Sequence, residues 1–132
     1  MELKPGSPTV LVSHNIVNCM DSTKPASLSK NVLKILREDF GFSGLIITDD
    51  LAMDAVKTYV KNGEAAALAV LAGNDLIISS SFVEQKHEIL TAVKNGIISE
   101  EVINIAVRRI LACKYYCLLY TSPSPRDRSL SR

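Results

Sequence analysis

"GFSGLIITDDLAMDAV", residues 41–56, decides the fold. Glycine turns open the stretch, an apolar run follows, and two adjacent carboxylates, Asp49 and Asp50, close the run before a second apolar segment begins. A short continuous run rich in Ile and Leu suits a strand buried on both faces, as in a parallel sheet. Working outward, "TVLVSHN" (9–15) is a second such run, also ending on polar groups. Between the two, "SLSKNVLKILREDF" sets Leu28, Val32, Ile35 and Leu36 at helical spacing, with Ser27 or Ser29 as N-cap and Gly41 where a C-cap belongs. Residues 51–60 read as a short helical or looped segment.

Downstream, "GEAAALAVLAG" (63–73) is an Ala-rich helix closed by Gly73, apolar nearly all round and so expected against a sheet and close neighbours. "NDLIISS" (74–80) reads as a third strand. "SFVEQKHEILTAVKNG" (81–96) reads as a helix with Phe82, Ile89, Leu90 and Val93 as its buried stripe and Gly96 as its stop. "ISEEVINIAVRRILACKYY" (98–116) is a last helix, capped by Ser99, with Arg108, Arg109 and Lys114 toward its C-terminal half as the helix dipole prefers. Strand and helix alternate three times before the extra helix, which implies an α/β fold with right-handed crossovers and a parallel sheet. Three strands cannot close a barrel or shield both sheet edges, so the chain reads as part of a larger α/β domain.

Composition narrows the function. A net charge of +1 gives no field for nucleic acid or an anionic membrane, and 5% aromatics without Trp argue against a base-stacking platform. Cys19, Cys113 and Cys117 are odd in number and lack zinc-type spacing, so reduced thiols are expected, with no metal site and no disulfide framework. "MELKPGSPTV" shows no signal-peptide pattern, and no apolar run reaches the roughly 18 residues of a membrane span. From Cys117 the text changes to "CLLYTSPSPRDRSLSR", rich in Ser, Pro and Arg. That string resembles translated sequencing-adapter read-through, which makes 1–116 the domain and 117–132 a disordered, non-native tail.

In a parallel α/β fold, ligands bind at the carboxyl ends of the strands. Polar residues stand at all three ends: Ser13, His14 and Asn15; Thr48, Asp49 and Asp50; Ser79, Ser80 and Ser81. Asp50 precedes "LAMDAV" and suits a helix or turn cap. Asp49 lies on the strand terminus, where a carboxylate can serve as nucleophile, metal ligand or general base; alternation alone does not fix which aspartate points inward. His14 suits a histidine hydrogen-bonded at a strand end. His87 reads as solvated, Met53 as packing, and Arg37 with Glu38 as a solvated helix face.

"ILREDFGFSGLIITDDLAMDAV" resembles the active-site signature of family-3 glycoside hydrolases, most closely the β-N-acetylhexosaminidase branch. "VLVSHN", "KPASLSKNVLKILRE" and "AALAVLAGNDLII" are similar to its flanking segments, so the resemblance covers about residues 2–116. It implies the last three strand–helix units of a (β/α)8 barrel plus a terminal helix. It also implies Asp49 as the catalytic nucleophile of a retaining mechanism, and a substrate-side role for His14. Donors to Asp49 are sought in Thr48 and the amides that follow it. The expected partner is a small carbohydrate, an amino-sugar glycoside or cell-wall fragment, with no cofactor. The branch's histidine–aspartate acid/base loop, and the Lys-His-Phe-Pro-Gly-His-Gly motif before it, are not found here. The chain alone is therefore expected to be inactive. Two other readings remain: a family-3 β-glucosidase or xylosidase segment, and a receiver-like phosphoacceptor module. The latter would want an aspartate and a lysine ending other strands, where Ser-His-Asn and Ser-Ser-Ser stand.

Overall fold

The computed structural model describes residues 8–60 and 64–117. Strand β1 (Thr9–Val12) pairs in parallel with β2 (Leu45–Thr48), matching Leu11 to Ile47 and Val12 to Thr48. The helix between them starts with a tight turn at Ala26–Leu28, runs as α1 (Lys30–Lys34), and widens into a π-helical turn at Ile35–Asp39. Ser29, one of the two expected caps, accepts from the Val32 amide. Gly41 takes a left-handed φ of 63° just past the helix. Gly44 is the glycine with no room for more: a Cβ there would lie 2.4 Å from the Pro8 carbonyl oxygen, which accepts from the Leu45 amide.

A short α2 (Asp54–Lys57) and the Ala-rich α3 (Ala65–Ala72) follow, and Gly73 ends α3 in the left-handed conformation. The start of the expected 63–73 helix falls at Gly63, outside the described residues, as does the tail from 118 to 132. The third strand is shorter than expected: one parallel bridge joins Ile47 to Leu76, with the Leu76 amide donating to Ile46 O and the Thr48 amide donating to Leu76 O. This segment pairs on one side, and no second strand flanks it among the described residues, so no longer ladder forms. Then come α4 (Phe82–Lys94) and α5 (Glu100–Tyr116), the latter capped by the Ser99 hydroxyl as expected.

The helices cover one face of the sheet. Val12 and Ile46 pack with Ala26, Leu33 and Ala72. A second cluster joins Leu28, Leu51 and Val56 to Ala66 and Ala69 of α3, and a third joins Val70 to Ala92 and Ile98. The opposite face is closed at its amino-terminal end, where Leu45 is buried near α5, and opens beyond it. Leu11, Ile47 and Leu76 stand abreast across the three strands by register, and Leu11 is 57% exposed. Of the expected stripe on α4, Ile89 and Val93 pack on the core beside buried Ala92, whereas Phe82 is 65% and Leu90 48% exposed. Both line an apolar groove of about 240 Å³, with Ile77 and Ile89, beside the free edge of the third strand. Apolar spacing identifies the stripe, but nothing in the described residues covers that part of it.

The reading of Arg37 as solvated is also corrected. Glu38 is exposed and pairs with Lys34, but Arg37 turns inward at the π turn. It donates to the carbonyls of Phe42 and Gly44 and pairs with Asp75, whose side chain is 2% exposed. Arg109 of α5 donates to the other Asp75 oxygen at 2.9 Å, and the Ile46 amide donates to Asp75 Oδ2 at 2.9 Å. One buried carboxylate thus joins the π turn after α1, β2 and α5 at the amino-terminal end of the strands.

Candidate active site

At the carboxyl-terminal end, β2 continues its ladder one residue further, because the Asp49 amide donates to Val12 O at 3.1 Å. Successive strand side chains alternate between faces. Val12 and Ile46 lie on the helix-covered face, so Leu11, Ile47 and Asp49 share the open one. Thr48, between them, is fully buried, and its hydroxyl oxygen accepts from the Ile78 amide at 3.2 Å, tying β2 to the third strand. Of the expected donors to Asp49, Thr48 is therefore not the one used; an amide that follows it is. That donor is the Asp50 amide, 2.8 Å from Asp49 Oδ1.

Asp50 does cap, as its position before "LAMDAV" implies. Its Oδ1 accepts from the Ala52 amide at 2.9 Å and from the Ser80 amide at 3.1 Å. The Ala52 amide first, then Ser80, hold the Asp50 carboxyl below the usual carboxylate range. This link is in force above that range and is lost as pH falls through the lowered value.

His14 ends β1 with both ring nitrogens engaged. Nε2 lies 3.0 Å from the Asp50 carbonyl oxygen, which can only accept, so Nε2 carries the hydrogen. In that tautomer Nδ1 accepts from the Ser27 hydroxyl, 2.7 Å away. Ser27 is fully buried, its amide donating to Ser13 O and its carbonyl accepting from Asn74 Nδ2 at 2.8 Å, and the loop before it is built on Asp21. The Asp21 carboxylate takes the Ser29 hydroxyl, the Thr23 hydroxyl and amide, and the Lys24 amide, which hold it well below the usual range. Ser29 thereby caps α1 and closes the loop with one hydroxyl.

Three strand ends thus meet at one rim: His14 from β1, Asp49 and Asp50 from β2, and Ser80 from the third strand. Sequence reasoning named His14 and Asp49 but missed Ser27 as a histidine partner and Ser80 as a specific donor to Asp50. Only the polar character of 79–81 hinted at the latter. His87 is exposed, as expected, whereas Met53 is 46% exposed and packs less than expected. Among the described residues no group of three or more His, Cys, Asp or Glu could hold a metal ion, and no helix is long and apolar enough to cross a membrane.

The family described as Glycosyl hydrolase family 3 N terminal domain matches residues 3–113. The structure of a family 3 β-N-acetylglucosaminidase from Paenibacillus sp. str. FPU-7 superimposes with a TM-score of 0.80 at 34% identity, over 90% of this chain and 24% of that one. A Beta-N-acetylglucosaminidase/beta-glucosidase of Cellulomonas fimi is 25% identical over 83% of this chain and 22% of its own length. A Beta-hexosaminidase of Nitrosomonas eutropha is 29% identical over 64% of this chain and 24% of its own length. The chain therefore spans about a quarter of each of these proteins. With its parallel α/β core and the family match over most of its length, the chain belongs to glycosyl hydrolase family 3.

Proposed function

We propose that this chain is the last three strand–helix units of a (β/α)8 barrel with a terminal helix, and that the whole protein is a retaining glycosidase. Its substrates are terminal β-linked N-acetylglucosamine-type glycosides. The observation that carries the reading is Asp49: a carboxylate at the carboxyl end of the central strand, on the uncovered sheet face, with one oxygen fixed by a backbone amide. The apolar row of Leu11, Ile47 and Leu76 beneath it supports a barrel, because parallel sheets bury both faces. In this reading the remainder of a longer chain covers that row.

The chemistry follows from one carboxylate. An Asp49 oxygen attacks the anomeric carbon as the bond to the aglycone oxygen breaks, and that oxygen takes a proton from a general acid. Water, deprotonated by the same group, then displaces Asp49 from the sugar. The general acid belongs to the part of the protein outside this chain. His14, its ring nitrogens already occupied, takes the substrate-side place at the mouth of the proposed pocket. The names of relatives favour the amino-sugar substrate; the dual name of the Cellulomonas protein keeps a β-glucoside as the second reading.

Two measurements test this. The full-length protein, treated with a fluorinated N-acetylglucosaminide that stalls after the first step, is expected to gain one glycosyl mass, mapped to Asp49 by peptide sequencing. An adduct on Asp50 or elsewhere would reject the assignment. The isolated 132-residue chain is expected to release no chromophore from an aryl N-acetylglucosaminide. Turnover by it would show that the general acid lies within this chain after all.

A further inference from the structure

Asp50 joins all three strand ends although its side chain takes no place on the open face. Its amide fixes Asp49 Oδ1 at 2.8 Å. Its carbonyl receives His14 Nε2 from the end of β1, and also the Met53 amide at 3.2 Å. Its carboxylate receives the amides of Ala52 and Ser80 through one oxygen. The residue is thus pinned on three sides, and Asp49 hangs from the peptide it pins. We propose that Asp50 is a positioning residue: its carboxylate locks the turn after β2, so that the amide it shares with Asp49 aims the reacting carboxylate. This rests on the nucleophile assignment above and adds a role for the second carboxylate of the pair.

Two outside links keep the turn from rotating. His14 is itself held by buried Ser27, so the carbonyl side of Asp50 rests on a fixed imidazole. Ser80 begins the segment leading into α4, so the carboxylate side rests on the third strand's end. Losing the Ala52 and Ser80 bonds would free the peptide that carries Asp49's only amide donor among the described residues. Misplacing a reacting group by about 1 Å can cost on the order of 100-fold in rate.

A positioning role and a charge role predict opposite orders for two conservative variants. Asp50→Asn keeps an acceptor oxygen at the same reach and loses the charge. Asp50→Glu keeps the charge and moves the oxygen one methylene away. In the full-length protein, the rate of adduct formation at Asp49 with a fluorinated N-acetylglucosaminide is read for each, with thermal melts to confirm folding. Asp50→Asn is expected to retain the rate within about tenfold, since a neutral acceptor is weaker than a charged one. Asp50→Glu is expected to lose about 100-fold in the adduct rate and in kcat, with KM changed far less. Asp50→Glu reacting as fast as or faster than Asp50→Asn would overturn the positioning role while leaving Asp49 as nucleophile. A parent protein that forms no adduct at Asp49 would overturn both together.

Discussion

Asp49→Ala in the full-length protein is expected to lower kcat/KM for an aryl N-acetylglucosaminide by about 10⁵-fold, the scale on which removal of a nucleophile acts in other covalent enzymes. Substrate binding should survive. The decisive observation is chemical rescue. Without Asp49 the face of the sugar opposite the aglycone is open, and added azide can attack the anomeric carbon directly. The product would be the α-glycosyl azide, inverted relative to the β-substrate. Azide that restores turnover in Asp49→Ala and leaves Asp50→Ala untouched would identify the attacking group. Loss of activity without rescue, or rescue yielding the β-azide, would move the nucleophile elsewhere.

Much of this arrangement is legible in the sequence. Parallel pairing followed from two apolar runs separated by a helical one. Ser29, Ser99 and Gly73 stood where caps belong and act as caps. The capping role of Asp50 followed from its place before a turn-forming segment. Local chemistry explains these successes, since each partner lies within a few residues. Which aspartate faces the open side was not readable, because that depends on which sheet face the helices cover. Ile46 decides it by packing on Leu33 and Ala72.

The failures are all long-range. Arg37 looks like half of a surface pair with Glu38, yet its partner Asp75 lies 38 residues away, and the inward turn depends on a π-helical widening that no propensity scale registers. His14 finds Ser27 after 13 residues and the Asp50 carbonyl after 36, and a backbone acceptor leaves no mark in the sequence. Phe82 and Leu90 read as buried because apolar spacing says which side of a helix is apolar. It does not say whether a neighbour covers that side.

The largest expected effect on stability comes from the opposite end of the strands. Asp75→Ala should destabilise the full-length protein by about 3–5 kcal/mol, the range for breaking a buried ion pair from one side. The cost lies less in the lost attraction than in what remains. The Arg37 side chain is only 16% exposed, and burial lowers its guanidinium pKa while Asp75 raises it. Removing Asp75 leaves that charge without its counterion and the Ile46 amide without its acceptor, next to a residue with no exposed surface. Arg109→Ala should cost only about 1 kcal/mol, because that side chain is 34% exposed and Asp75 keeps two other donors. Urea denaturation of the two variants beside the parent checks the order. Equal losses would mean that Asp75 is held mainly by α5. A negligible loss for Asp75→Ala would mean that water reaches Arg37, and that the buried knot joining the π turn, β2 and α5 does not hold the bases of the strands.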